Sequence, residues 1–244
     1  MKPNLLFIIG PSCSGKSSMA NVIRQQDPSY QLLDDVTPLY QIFHADELLH
    51  EKRENDFHKF ISENNLTAYY DTKNPVVYSI PNHTGGYQIL NPAVWNIVLS
   101  ILGTQIKSAK CIIEFSRGSD HNYNQMFNVS DDAVYKKSFD CLCADIPQTL
   151  LNKAMIIDIN APLDIRRQRN IVRFHNGGHL VSEKTMDTVY KQDVFLCGSA
   201  QSVNIKGCEI PVFFIKNDMN SANMNVFLIQ EFKKSLIYYR SVKK

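Results

Sequence analysis

Two glycines, one lysine and four serines fall within nine residues near the start of the chain, Gly10-Pro11-Ser12-Cys13-Ser14-Gly15-Lys16-Ser17-Ser18. The spacing fits G-x-x-x-x-G-K-[ST], a phosphate-binding loop. Glycine at 10 and 15 permits backbone angles that a side chain forbids. The amides of Gly10 to Gly15 can then turn inward as a nest for phosphate oxygens. A helix starting at Gly15 adds its N-terminal amides and the positive end of its dipole. Lys16 is placed for the β- and γ-phosphates, and the Ser17 hydroxyl for Mg²⁺. Ser18 begins the helix and is counted with the loop.

A phosphate loop names a ligand class, and three further groups bear on the reaction. Cys-Ile-Ile-Glu-Phe-Ser-Arg-Gly, 111–118, delivers Glu114 near the end of an apolar run, then Arg117. An acid there is costly to bury without a partner. It either serves a metal with Ser17 or pairs with Arg117. Arg117 otherwise suits an anionic or hydroxylated acceptor. Arg166, Arg169 and Arg173 recur at i, i+3 and i+7 and share one helical face, while Arg167 points elsewhere. The Gly-Gly of 175–179 comes next. That combination suits a lid, about 163–195, that neutralises a transferring phosphoryl group and excludes water. A solvated charged face is the competing account. Asp34 and Asp35 end a short apolar stretch, and one of them could accept a proton from an acceptor hydroxyl. Asp35 lies further past the stretch and is preferred. Turn capping is the other use of such a residue. The stretch 85–96, with Trp95, reads as packing or as one wall of an acceptor pocket.

These groups need a scaffold. Continuous apolar runs at Leu5–Ile9, Tyr30–Leu33, Lys110–Phe115, Ala154–Ile159 and Pro211–Ile215 read as five buried strands. Helical segments separate them at 15–26, 46–64, 93–109, 130–152 (interrupted by Pro147), 162–174 and 183–194. A final amphipathic helix over 220–239 carries Leu228, Phe232, Leu236 and Tyr239 on one face. Residues 65–92 read as irregular, with a short strand at 76–80. Alternating strands and helices predict an α/β three-layer architecture around a mostly parallel sheet. Ligands in such sheets sit at the carboxyl ends of the strands. Those ends carry Gly10, Asp35, Phe115, Asn160 and Lys216.

The 244 residues suit one domain over 1–244, with 65–92 as a candidate acceptor-binding insertion. A net charge of +2 gives no global field for nucleic acid. No apolar run reaches the roughly 20 residues of a membrane helix. The first apolar run is too short for a signal peptide and no small-residue cleavage site lies after it. Six cysteines without C-x-x-C spacing read as free thiols in a reducing, cytoplasmic setting.

The loop GPSCSGKS after the first strand, EFSRG at the third and RRQRNIVR after the fourth resemble the P-loop kinases of the nucleoside and nucleotide kinase group. The resemblance covers roughly residues 4–240. Gly118 stands where deoxynucleoside kinases would have serine. The resemblance implies a sheet ordered 2-3-1-4-5, ATP as donor with Mg²⁺, an arginine-bearing lid, and Lys216–Asp218 beside the adenine. The expected activity is transfer of the γ-phosphoryl group to a nucleoside, nucleotide or related small metabolite. The alternative is a regulatory ATP- or GTP-binding NTPase with no such acceptor, although neither N-K-x-D nor a strand ending in aspartate after the loop is evident. ATP-versus-GTP preference, acceptor and oligomeric state lie outside what the residues specify.

Overall fold

Leu5–Ile9 form β1, and all five side chains are fully buried because both faces of the strand meet helices. The computed structural model describes residues 2–71, 73–81, 87–106, 110–177, 180–191, 195, 201–219 and 223–243. Around β1 lie β2 (Gln31–Asp34), β5 (Cys111–Glu114), β6 (Ala154–Asn160) and β8 (Cys208–Lys216), all parallel, in the order β2-β5-β1-β6-β8. These are the five expected strands in the expected order. β7 (Ser202–Ile205) adds an antiparallel sixth strand at the edge, paired with β8 through the turn Lys206–Gly207, where both residues have positive φ. The expectation of five strands is therefore corrected. Two of β7's four residues are exposed, so no apolar run marks it.

One face of the sheet packs Leu5, Phe7, Ile113 and Ile156 on α4 (Val94–Thr104) and α6 (Val134–Leu142). The other packs Leu6, Ile8, Ile112 and Ile157 on α1 (Lys16–Gln26) and α10 (Met224–Val242). Leu228, Phe232 and Tyr239 of α10 are buried, as their spacing requires.

The expected helix over 46–64 is two helices. α2 (Val36–His50) begins directly after Asp35, and α3 (Glu54–Glu63) comes after a break at Lys52, whose φ is 59°. The expected helix over 130–152 is α6 and a single turn, α7 (Gln148–Leu151), separated before Pro147. α5 (His121–Phe127), capped by the Asp120 carboxylate, was not anticipated. Within 65–92 a hairpin joins β3 (Ser79–Pro81) to β4 (Tyr87–Ile89); the tip, 82–86, lies outside the described residues. The hairpin closes a separate small core of Ile42, Leu48, Phe57, Ile61, Tyr70 and Val98. The insertion is thus part of a lobe built with α2, α3 and α4. α8 (Leu163–His175) and α9 (Glu183–Thr188) make up the described part of the expected lid; 178, 179 and 192–194 lie outside it. Among the described residues, no helix is long and apolar enough to cross a membrane.

Candidate functional site

β1 ends at Ile9 and α1 begins at Lys16, so the loop 10–15 must turn sharply at the carboxyl edge of the sheet. Gly10 and Gly15 adopt φ of 136° and 111°. A Cβ on Gly10 would lie 2.1 Å from the Ile159 carbonyl oxygen, and one on Gly15 would lie 2.3 Å from Asn217 Nδ2. Both positions therefore exclude a side chain for two reasons, conformation and space. Asn217, fully buried, donates from Nδ2 to the Ser14 carbonyl at 2.7 Å and fastens the loop to the end of β8. The strand order β2-β5-β1-β6-β8 and the glycine-bounded loop after β1 are those expected from the sequence for a phosphate-binding α/β fold.

Lys16 is almost wholly buried, and its Nζ donates to the Pro11 carbonyl at 3.0 Å. Burial lowers its pKa, opposed by the carboxylates of Glu114 and Asp35. Ser17 Oγ donates to Glu114 Oε1 at 2.6 Å. The two residues expected to serve a metal are therefore in contact, and Glu114 does not pair with Arg117. Burial raises the Glu114 pKa, against the pull of Lys16 and the Ser17 hydroxyl.

The adjacent aspartates separate. Asp34 accepts the Thr37 amide at 2.9 Å and caps the first turn of α2. Asp35 accepts the Ser116 amide at 2.8 Å and lines the cleft above the loop. Burial raises its pKa, while the Ser116 amide, Lys16 and Arg117 act against that rise. The cleft has a volume of about 620 Å³ and also takes in Trp95, Ser116, Tyr190, Arg169 and Arg173. Ser12, Cys13, Gly15, Ser17 and Ser18 form its floor.

The arginines divide. Arg166 is buried and donates to the carbonyls of Ala161 (2.9 Å), Tyr190 (2.7 Å) and Lys191 (3.1 Å). Arg166, expected to meet a transferring phosphoryl group, does not line the cleft and ties α8 to backbone carbonyls. Arg117 is likewise turned inward. It is buried, with Nε on Ser138 Oγ and Nη2 on the Trp95 carbonyl, both at 2.8 Å, and its guanidinium lies 5.2 Å from the Trp95 ring centroid. Arg117, expected to hold the acceptor, does not line the cleft and contacts Trp95 instead. Spacing fixes a helical face but not the direction a long side chain takes.

Arg169 lines the cleft while donating to the carbonyls of Cys13, Ser14, Asn217 and Met219 at 2.7–3.3 Å, clamping the loop to the segment after β8. Arg173 donates to Asn170 Oδ1 at 2.9 Å, and its Nε is buried without a hydrogen-bond partner among the described residues. The solvated-face account fits Arg167, which is exposed and paired with Asp187. It does not fit the other three.

Tyr190 was missed. It lines the cleft beside Asp35, and burial pushes its phenol up to about 12. A signal existed in Gly118, where a Cβ would lie 2.0 Å from the Val189 carbonyl oxygen. Glycine there lets the 189–190 segment close over the strand end, and the Ser119 amide donates to the same carbonyl at 2.9 Å. Of the described residues in 85–96, Trp95 lines the cleft.

No family model matches the chain, and no curated protein matches it. Solved structures resemble it loosely along its length. A gluconokinase from Sinorhizobium meliloti is 13% identical, covering 98% of both chains with a TM-score of 0.43. A sugar kinase from Janibacter is 10% identical, covering 99% of this chain and 98% of its own, at 0.45. A shikimate kinase from Acinetobacter baumannii, in complex with shikimate, is 10% identical, covering 97% and 94%, at 0.42.

Proposed function

We propose that the chain is an ATP-dependent phosphotransferase that moves the γ-phosphoryl group to a hydroxyl of a small acceptor. The loop amides and Lys16 would hold the phosphates, with Met219 and Met224 lining the same cleft. Among the described residues, no three acidic, histidine or cysteine side chains gather to hold a metal unaided. The Ser17 hydroxyl and Glu114 carboxylate nevertheless fit Mg²⁺, which uses one or two protein oxygens and completes its shell with water and phosphate. Mg²⁺ bound there would neutralise charge on the phosphates.

The observation that carries the reading is Asp35. It is a second carboxylate in the same cleft, aimed by the Ser116 amide and not committed to the Ser17–Glu114 pair. A base in that position can take the proton of an acceptor hydroxyl as the phosphoryl group leaves ATP. Arg173, with donor capacity to spare, is the cation best placed for charge developing on the transferring group. The same carboxylate could orient an attacking water in a nucleotide hydrolase, so dependence of turnover on an acceptor is what separates the two readings.

The test is ATP consumption with Mg²⁺, with and without pooled nucleosides, sugars and related metabolites, using Lys16→Ala as the blank. Consumption that rises with an acceptor and disappears in the variant is the expected result. Slow turnover indifferent to every acceptor would move the assignment to an NTPase.

A further inference from the structure

The charges around the cleft are unevenly distributed, and this bears on the acceptor. Among the described residues, the cations lining it are Lys16, Arg169 and Arg173. All three belong to the phosphate end. Lys16 is within the loop, Arg169 is clamped on loop carbonyls, and Arg173 acts on Lys16 from α8. The opposite wall is built from Asp35, Val36, Leu39, Trp95, Ser116 and Tyr190. It has one carboxylate, two hydroxyl groups, apolar surface and no cation among the described residues.

Arg117 lies nearest to that wall from behind. Its Nε and Nη2 are taken by Ser138 and the Trp95 carbonyl, and it does not line the cleft. Its positive charge is felt by Asp35, whose carboxyl it helps to ionise. Lys16 is felt by Glu114 in the same way. Arg117 thus acts on Asp35 from outside the cleft, and the cations that line the cleft, Lys16, Arg169 and Arg173, stay at the phosphate end, so the acceptor wall itself presents a carboxylate and no cation among the described residues.

From this distribution we infer that the acceptor is an uncharged hydroxyl compound with one apolar or ring face, and not a carboxylate or phosphate ester. The inference rests on the phosphotransferase reading above. A neutral hydroxyl can donate to Asp35 while its apolar face lies on Val36, Leu39 and Trp95. An anion in the same place would face Asp35 across a partly dehydrated cleft without a counter-ion, where like charges repel far more strongly than in water. Tyr190 and Ser116 supply hydroxyl groups suited to further polar atoms of a neutral ligand.

Trp95 is the chain's single tryptophan and lines this wall, so its fluorescence reports occupancy without any turnover. The experiment uses matched pairs, each a nucleoside with its 5′-monophosphate or a neutral sugar with its acid. Binding is read by Trp95 fluorescence and reaction by ATP consumption, in wild type and in Leu39→Arg. The neutral member of at least one pair is expected to bind and react, by roughly tenfold or more over its anionic partner. Leu39→Arg, which adds a cation beside Asp35, should narrow or reverse that preference. Reaction with the anionic members in preference would overturn the inference and leave the kinase reading standing. Failure of every compound to raise ATP consumption would overturn both.

Discussion

Asp34 spends its carboxylate on the Thr37 amide, whereas Asp35 turns to the Ser116 amide and the cleft. One residue of chain separates a cap from a candidate base. Replacing Asp35 by Asn keeps the shape and removes the proton acceptor. Acceptor-dependent turnover should fall by about 10²–10⁴-fold, with little change in nucleotide affinity. The acid limb of the pH–rate profile carries the second half of this prediction. Only ionised Asp35 can take a proton, and burial raises its pKa. Activity should therefore be lost, as pH falls, at a higher pH than an ordinary aspartate would give. Steady-state kinetics across pH, in wild type and Asp35→Asn, check both halves. An acid limb at the usual aspartate value, or unchanged turnover in the variant, would remove Asp35 from the role of base.

At the scale of elements, α8 and the 189–190 segment are tied to the end of β5 through Val189. Gly118 lets the 189–190 segment approach, and Arg166 holds its carbonyls from within α8. Arg166→Met should leave those carbonyls without charged donors and cost about 3 kcal/mol of stability. It should also raise the acceptor KM more than it lowers kcat, because Arg166 positions Tyr190 and does not line the cleft. Gly118→Ser should shift the acceptor KM in the same direction through the clash at Val189. Thermal melting and separate kcat and KM values test this. A kcat loss at unchanged KM would instead place Arg166 in the transition state. The contrast with the loop shows what was legible in the sequence. Gly10, Gly15, Lys16 and Ser17 act through backbone geometry and immediate neighbours, so their spacing carries their role. Glu114 was legible because an acid in an apolar strand demands a partner. Where Arg117 and Arg166 would point was not legible, because long side chains choose partners from distant segments. Tyr190 enters the cleft from a distant segment, and its one trace in the sequence is Gly118; nothing local at Trp95 separated packing from a cleft wall. The strand order came from the resemblance, and β7 escaped because an exposed edge strand has no apolar signature.

The whole molecule has a sheet with a core on each face and a third core in the lobe of α2, α3, α4 and the β3–β4 hairpin. Trp95 packs against both the lobe core and one sheet core, so this side of the cleft spans their junction. Asp46 pins the lobe. Fully buried on α2, it accepts the amides of Tyr78 (3.1 Å) and Ser79 (2.7 Å), the Ser79 hydroxyl (2.8 Å) and the Tyr70 phenol (2.9 Å). Burial still dominates and raises its pKa to about 6. A carboxyl raised in the folded state stabilises the fold fully below its unfolded pKa, and that contribution is lost as pH rises through about 6. The loss should approach about 3 kcal/mol. Asp46→Asn should flatten this dependence. Its carbonyl can keep the Tyr78 and Ser79 donors, and its amide can face Tyr70, whose hydroxyl turns to the Ile42 carbonyl at 3.2 Å. Asp46→Ala leaves those donors without an acceptor and should destabilise the lobe at every pH, by about 3 kcal/mol. Melting followed by Trp95 fluorescence between about pH 4 and pH 7.5 separates the three proteins. A wild-type curve as flat as that of Asp46→Asn would show that the four donors hold the carboxylate ionised, and that the lobe is pinned by an anion and not by a proton-bearing acid.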